Sequence, residues 1–251
     1  MAENFIIEKL KKEFKDREVF SRAELFDFYR QFEPDLKETT FRWRIHDLKN
    51  KRIISSGSRE LFTFFYKPTF KPEIGEAERK IYSRITKQFP DLNYCIWSTR
   101  IANEFMLHIP GRFLTILQVE KEALEPVYEF LKGQNFRNVY IQPVEKEIER
   151  YIYDNESAII LKSLISKSPT QKVDKVITTT LEKLFVDIYC DKKLFAAFQG
   201  NELIHMVNNA QNHYSIDFTK LLAYAKRRRK ESEILEFFLA KTNIPKHILN
   251  D

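Results

Sequence analysis

The sequence predicts an α+β protein, in which a small N-terminal domain of helices and a β-hairpin is followed by a mixed α/β domain with a helical C-terminal part. Three observations lead to this prediction. Helical periods followed by a short turn rich in Ser and Gly fill residues 1–66. Strand and helix patterns alternate from residue 76 to residue 142, which indicates a small mixed sheet with helices against it. From about residue 180 the apolar spacing is mostly helical.

The bulk composition limits the class of protein. The 251 residues are 43% hydrophobic and 31% charged, which is enough for one large domain or two small ones. The net charge of +6 is compatible with nucleic-acid binding but does not establish it. Cys95 and Cys190 lie far apart in the chain, so we expect two reduced, buried thiols. No apolar stretch approaches the ~18–20 residues of a membrane span, and we therefore expect a cytoplasmic protein that contacts no membrane.

The first two helices are predicted from apolar spacing and from a capping signal. Residues 4–15 carry aromatic and aliphatic side chains at helical spacing. Ser21 followed by Glu24 is a capping box, which predicts that a second helix begins there. The segment Glu33-Pro-Asp35 ends that helix, because the residue before a proline avoids the helical conformation.

Residues 36–65 predict a third helix followed by a tight hairpin. At about 100° per residue, Phe41, Ile45 and Leu48 form a buried stripe. The opposite side is polar, cationic and aromatic, without a carboxylate at its centre, and consists of Thr39, Arg42, Trp43, His46 and Asn50. The hairpin is predicted with strands at residues 52–54 and 59–65 and a turn at residues 55–58. This is the outline of a winged helix–turn–helix, with a recognition helix and a wing.

A winged helix of this kind predicts binding to double-stranded DNA, with a homodimer as one arrangement on the site. Arg42 suits a base or a phosphate, while His46 and Asn50 can hydrogen-bond base edges. The complete set of expected DNA contacts is Thr39, Arg42, Trp43, His46, Lys49, Asn50, Lys51, Arg52 and Arg59. The alternative is an adaptor whose winged helix binds protein and merely carries a basic face.

A domain boundary is predicted at residues 67–74, where Lys67-Pro-Thr-Phe-Lys-Pro72 has two prolines and no helical or strand period. Residues 1–66 then form the DNA-binding domain, and residues 75–251 form the second domain. The predicted strands of the second domain are residues 93–97, 113–120, 138–142, 158–165 and 175–178. Its predicted helices are residues 76–89, 98–106, 123–132, 181–189, 193–198, 201–210, 217–228 and 231–240.

A basic run follows one of the predicted C-terminal helices. Its members are Lys226, Arg227, Arg228, Arg229 and Lys230. Cations at the C-terminal end of a helix complement its dipole, which is one interpretation. The other is a second nucleic-acid contact or a docking patch for an acidic partner.

Catalytic motifs are sparse in this sequence. The five histidines are scattered, without the spacing of a metal site, and the five glycines form no phosphate-binding loop. Glu120-Lys121 at the end of a strand is faintly similar to nuclease sites, but no spaced upstream acid completes it. Asp187 and Asp191 are interpreted as solvated or capping residues. We expect no enzyme, no cofactor and no metal; the rival prediction is a nuclease or phosphoryl-transfer enzyme targeted by the winged helix.

Four segments together resemble the AbiEi antitoxins of type IV toxin–antitoxin (abortive infection) systems. The first is the winged helix at residues 20–65, and the second is Ile96-Trp-Ser-Thr-Arg-Ile-Ala followed by the strand at residues 113–119. The third is Lys175-Val-Ile-Thr-Thr-Thr-Leu-Glu-Lys-Leu-Phe-Val-Asp-Ile-Tyr189, and the last is the helix at residues 216–225. The chain departs from the family pattern where Thr180-Leu181 replaces the Pro often found before Glu-Lys.

The resemblance implies two activities. The winged helix would bind operator DNA and repress its own toxin–antitoxin operon, and the second domain would oppose a nucleotidyltransferase-type toxin. In that family the antitoxin acts without stable binding to the toxin. The residues that match the recurrent helix of the family are Glu182, Lys183 and Asp187. They suit a structural role as well as a mechanistic one, with Asp187 anchoring a neighbouring loop.

Overall fold

The computed structural model of the chain describes residues 2–14, 17, 19–56, 60–64, 67–155 and 157–249. It confirms an α+β protein of mixed helices and small sheets. The chain divides into two compact units. Unit 1 comprises Met1–Thr69, His213–Thr219 and Ile244–Asp251, and unit 2 comprises Phe70–Asn212 and Lys220–Asn243.

Unit 1 contains helices around a short sheet. Its elements in chain order are α1 (Ala2–Glu13), β1 (Phe20–Ser21), α2 (Arg22–Arg30), α3 (Glu38–Asn50), β2 (Ser55–Ser56) and β3 (Leu61–Thr63), and α11 (Lys246–Leu249) comes from the last segment of the chain. The sheet order is β1-β3-β2, and both strand pairs are antiparallel. Phe62 is paired with Phe20 on one side and with Ser56 on the other, so β3 is the central strand.

An aromatic core holds unit 1 together. Its buried side chains are Leu10, Phe14, Phe20, Leu25, Phe28, Tyr29, Leu36, Phe41, Ile45, Leu48, Ile54 and Phe62. The rings of Phe14 and Phe20 stack with their centroids 4.5 Å apart, and this contact joins α1 to the sheet. Aromatic pairs of this kind add about 0.5–1.5 kcal/mol beyond their buried area.

The strands of the hairpin begin and end at different residues from those predicted. The strand expected at residues 52–54 begins at Ser55 instead, because Arg52 adopts a left-handed backbone (φ 57°) that ends α3 and Ile54 is buried in the core. The second strand spans Leu61–Thr63, which is shorter than expected. Residues 57 and 58 of the predicted turn lie outside the described residues, and so do residues 59 and 65, the two ends of the second predicted strand.

Unit 1 also includes segments from late in the chain. The Ser215 N–H donates to the Pro68 carbonyl oxygen at 3.0 Å, and Asp217 acts electrostatically on Lys49. The sequence prediction kept residues 75–251 together, whereas the compact units assign residues 213–219 and 244–251 to unit 1. Long-range contacts of this kind leave no local signal in the sequence.

Unit 2 is a mixed α/β layer with further helices. Its elements up to the sheet's last strand are α4 (Glu76–Gln88), β4 (Tyr94–Ser98), β5 (Thr115–Val119), α5 (Leu124–Gly133), β6 (Val139–Ile141), α6 (Glu145–Glu147) and β7 (Ile159–Ser163). A hairpin and four helices follow, namely β8 (Thr170–Val173), β9 (Val176–Thr179), α7 (Leu181–Cys190), α8 (Asn201–His213), α9 (Phe218–Arg227) and α10 (Glu231–Lys241). The first residues of α9 fall in the unit 1 segment.

The main sheet of unit 2 has the order β4-β5-β7-β6. β5, β7 and β6 are parallel, and β4 is antiparallel to β5. Side chains of successive residues point to opposite faces, so one face carries Ile96, Leu117 and Leu161 against the apolar sides of α4 and α5. The other face carries the cross-strand row Cys95, Gln118 and Lys162, and it packs against α7.

Several elements of unit 2 differ from their predictions. The helices expected at residues 98–106 and 193–198 are single 3₁₀ turns, Thr99–Ala102 and Ala196–Phe198. Strand β8 was not predicted, because its polar residues pair only with β9. The expected linker at residues 67–74 has no helix or strand, yet Phe70 and Ile74 are buried in it. In the described part of the chain, no helix combines the length and the hydropathy that a bilayer span requires.

Candidate nucleic-acid interface

Helix α3 is held in unit 1 by the predicted apolar stripe. Phe41, Ile45 and Leu48 are all buried in the core of unit 1. The ring centroids of Phe41 and Tyr29 are 6.1 Å apart, which fixes α3 against α2. Burial of this stripe turns the opposite side of the helix to solvent.

The outer face of α3 is exposed along its length. Thr39, Arg42, Trp43, His46 and Asn50 are all exposed. Trp43 keeps 67% of its surface accessible. A tryptophan is highly buried on average, so Trp43 is unusually exposed for its residue type.

Hydrogen bonds and ion pairs order the ends of this face. Nδ2 of Asn50 lies 3.1 Å from Nδ1 of His46, one helical turn away. Nε of Arg42 lies 3.5 Å from a Glu38 carboxylate oxygen, but the Arg42 side chain remains 73% exposed. Glu38 also accepts a hydrogen bond from Arg22, and this bond is the main cause of its lowered pKa. The Glu38 charge is therefore shared, and exposed ion pairs of this kind contribute little free energy.

The cations expected beside the outer face have different surroundings. Nζ of Lys49 lies over the Phe62 ring, 5.2 Å from its centroid, and burial lowers the pKa of this lysine. Lys49 is thus partly buried, and its expected contact with the DNA backbone stays a prediction. Lys51 is exposed and pairs with Asp47 at 2.8 Å, and Arg52 is exposed. Arg59 lies outside the described residues.

The basic run after α9 does not form one surface. Arg228 turns inward, and its side chain is only 14% exposed. It bonds Asp187 at 3.0 Å and Asp191 at 3.1 Å. This corrects the prediction of a five-cation patch, because the buried carboxylates attract the middle arginine.

The other members of the run remain near the surface. Lys226 pairs with Glu231 at 3.8 Å, and Lys230 pairs with Glu233 at 2.7 Å. Arg227 donates to Oγ of Ser166 at 3.3 Å. Arg229 is exposed, with a left-handed backbone (φ 57°).

Asp187 lies at the centre of a buried polar network. Its Oδ1 accepts hydrogen bonds from the Tyr224 hydroxyl at 2.8 Å and from Arg228. Its Oδ2 accepts from Gln118 at 3.1 Å and from the Lys183 ammonium one turn earlier on α7. The prediction that Asp187 is solvated or caps a helix is therefore wrong. It anchors α9 and the sheet rather than a loop, which favours a structural role for Lys183 and Asp187.

Neighbouring charges set the ionisation of this network. Burial by itself would raise the pKa of Asp187, but Lys183 and Arg228 outweigh it and the pKa is lowered. Burial would lower the pKa of Lys183, but Asp187 reverses the direction and the pKa is raised. Burial raises the pKa of Tyr224 to about 12, with Asp187 adding to the effect. Both members of the Lys183–Asp187 pair therefore stay charged at neutral pH.

Sequence reasoning missed several members of the network. Gln118 and Lys162 are polar residues inside otherwise apolar strands, and they occupy paired positions in β5 and β7. Lys162 bonds Asp191 at 2.8 Å. Tyr224 and Arg228 are spaced like Lys183 and Asp187, four residues apart on a helix. This matched spacing was the sequence signal from which the pairing of the two segments could have been predicted.

The remaining candidates for chemistry stay apart. Glu120 accepts a hydrogen bond from Asn93 at 2.6 Å at the end of β5, and both Glu120 and Lys121 are exposed. In the described residues, no group of three His, Cys, Asp or Glu side chains could hold a metal ion. Cys95 is buried and Cys190 is partly buried, and both are free thiols. Burial raises the pKa of the Cys95 thiol to about 12, so this thiol stays protonated.

Comparison with known proteins gives one family. A family model described as a family of unknown function, DUF6577, matches residues 40–244. The match begins within α3 and covers all of unit 2. Neither the comparison with curated proteins nor the comparison with solved structures gives a match.

Proposed function

The chain belongs to the DUF6577 family, whose function is unknown, and we propose that it is a DNA-binding antitoxin and transcriptional autorepressor of a type IV toxin–antitoxin operon. The toxin that it opposes is of the nucleotidyltransferase type. The observation that carries the proposal is the exposed outer face of α3, centred on Arg42, Trp43 and His46.

The order of elements in unit 1 supports the DNA-binding part. Residues 31–37 join α2 to α3, and α3 is the second helix of the pair, which is the position of a recognition helix. β2 and β3 follow α3 directly and pair with each other, as the strands of a wing do. β1 adds a third strand to this sheet. Unit 1 is therefore proposed to be a winged helix.

The chemistry of the outer face suits the major groove. A helix in the groove reads bases through three or four side chains near its exposed centre. Arg42 matches the acceptor pair of guanine, and Asn50 matches the edge of adenine. His46, held by Asn50, offers a further polar contact, while Lys51 lies near the phosphates.

The antitoxin part rests on the resemblance of the sequence to AbiEi antitoxins. The third matching segment corresponds to β9 and α7, and the fourth corresponds to α9. The Lys183–Asp187–Tyr224 network links α7 to α9. We propose that this network keeps the shape of unit 2 on which neutralisation depends.

A reporter gene under the DNA upstream of the chain's own coding sequence tests the repressor function. The wild-type chain is expected to lower expression, and the double variant Arg42→Ala, His46→Ala is expected to restore it. Each base-reading side chain contributes about 1–3 kcal/mol to binding. Arg30→Ala is the matched control, because Arg30 is an exposed cation on α2 of the same unit. Equal repression by the wild type and the double variant would contradict the proposal.

Co-expression tests the antitoxin function separately. The reading frame next to the coding sequence is expected to encode a nucleotidyltransferase-like protein that slows growth. Growth should recover when this chain is supplied from a second plasmid. A neighbouring protein without toxicity, or toxicity that this chain does not relieve, would refute the antitoxin function while leaving DNA binding intact.

A further inference from the structure

A cavity of about 560 Å³ opens in unit 2 at the end of its parallel strands. Gln142, which follows β6, and Lys162, near the end of β7, are part of its wall. The opposite wall is the end of α7 and the residues after it. Ligands of open α/β sheets bind outside the carboxyl ends of parallel strands. The volume is within the range of small-molecule sites, about 300–1,000 Å³.

The wall of this cavity has an excess of positive charge. Four lysines line it, namely Lys162, Lys192, Lys193 and Lys230. Against them stand two carboxylates, Glu145 and Asp191, so the lining has a net charge of +2. An excess of one sign of charge in a cleft concentrates ligands of the opposite sign.

The inner part of the wall is a fixed array of charges. The same Asp191 oxygen accepts a bond from Lys162 at 2.8 Å and from Arg228 at 3.1 Å. Arg228 in turn bonds the buried Asp187. The Asp191 carboxylate therefore pairs with two cations, Lys162 and Arg228. It holds Lys162 in place without fully neutralising its charge.

The outer lysines are available to a ligand. Lys193 pairs with Glu145 at 2.5 Å, but both side chains are more than half exposed. Exposed pairs of this kind contribute little free energy, so a phosphate group can replace the carboxylate. The backbone of Lys193 is held by the Tyr153 hydroxyl, which donates to its carbonyl oxygen at 2.6 Å. Lys192 is exposed beside it, with Nζ 5.2 Å from the centre of the Tyr189 ring.

We propose that this cavity binds a small phosphorylated ligand through a chain of two or more phosphates. Lys162 and Lys193 contact the phosphate oxygens from the two walls, and Lys192 and Lys230 add charge at the rim. A diphosphate chain carries enough negative charge to match an excess of two cations. The proposal is independent of DNA binding, because it rests on residues of unit 2 alone.

Calorimetric titration of the full chain tests this site. The probes are sodium pyrophosphate and ATP, at a salt concentration of about 0.15 M and without divalent cations. Either probe is expected to bind, with the affinity falling about tenfold or more in the double variant Lys192→Ala, Lys193→Ala. Equal affinities for the two probes would show that the site recognises the phosphate chain alone. Tighter binding of ATP would show that the nucleoside contributes to binding as well.

The matched control is the double variant Lys80→Ala, Lys87→Ala, which removes two exposed lysines from α4 of the same unit. It is expected to change the affinity less than about twofold, because screening weakens distant surface charges. The proposal is overturned if neither probe binds more tightly than about 1 mM. An equal loss of affinity in the control variant also overturns it, since the effect would then come from the total charge and not from the cavity.

Discussion

The Asp187 carboxylate lies between α7, α9 and β5, and charged or polar groups of all three elements donate to it. Taking such charges out of water is costly, and their mutual attraction offsets the cost only with good geometry. Removal of one partner leaves the other charge buried and unpaired. The network is therefore worth little as a source of net stability, but the fold becomes sensitive to each of its members.

Asp187→Asn is expected to destabilise unit 2 by about 3–5 kcal/mol, because Lys183 and Arg228 keep their charges without the carboxylate. Urea unfolding followed by the fluorescence of the buried Trp97 measures this loss. Asp174→Asn is the matched control, since Asp174 forms an exposed ion pair with Arg79. It should cost less than about 1 kcal/mol. Similar losses in both variants would show that the fold is no more sensitive to the loss of Asp187 than to the loss of an exposed carboxylate.

The same residue predicts a pH dependence. Because the folded-state pKa of Asp187 is lowered, its contribution is present above the unfolded-state pKa of about 3.9 and is lost as the pH falls through the folded-state value. The raised pKa of Lys183 acts in the opposite direction, so its contribution is lost only at alkaline pH. The urea midpoint of the wild type should therefore fall as the pH drops below the unfolded-state pKa of about 3.9, and this fall should be smaller in Asp187→Asn. If the urea midpoint fell equally with pH in the two proteins, Asp187 would not be the group responsible for the acid sensitivity.

Single residues were predictable from the sequence where local geometry decides their position. The exposure of Trp43 and His46 follows from the helical angle to Phe41, which is set by the backbone within α3. The partners of Asp187 were not predictable, since Tyr224 and Gln118 come from distant parts of the chain. The partial burial of Lys49 was not predictable for the same reason, because the ring beside it belongs to β3.

At the scale of elements, helix ends follow chemistry that is written in the sequence. Ser21 accepts a hydrogen bond from the Glu24 N–H, and the Glu24 carboxylate accepts one from the Ser21 N–H. The bond from the Ser21 N–H is the main cause of the lowered pKa of Glu24. Both bonds are local, and α2 accordingly begins where the capping box predicts. β8 depends on a partner strand instead, and no local pattern in its residues predicts it.

Ser21→Ala is expected to weaken α2 by about 1 kcal/mol, because the Glu24 N–H loses its acceptor. Ser21→Asp is the matched control, since aspartate is an equally good N-cap residue. Hydrogen exchange of the α2 amides measures the local free energy of opening in each variant. Faster exchange in both variants, or in neither, would show that the serine hydroxyl does not cap α2.

At the scale of the whole molecule, the α+β class was predictable because periods of 3.6 and 2 residues are local patterns. The compact units are not continuous in sequence. Unit 1 consists of the chain up to Thr69 together with residues 213–219 and 244–251. Ser215 in residues 213–219 forms a hydrogen bond with Pro68, and no local sequence pattern predicts this contact.

The central claim is that the outer face of α3 binds double-stranded DNA. Fluorescence anisotropy with DNA from upstream of the chain's own coding sequence measures the affinity directly, at several salt concentrations. The logarithm of the binding constant is expected to fall linearly with the logarithm of the salt concentration. Arg42→Ala and His46→Ala are each expected to lose about 1–3 kcal/mol of binding free energy. Arg30→Ala is expected to bind with an affinity close to that of the wild type. Equal affinity in the wild type and both α3 variants, or no binding to DNA at low salt, would contradict the claim.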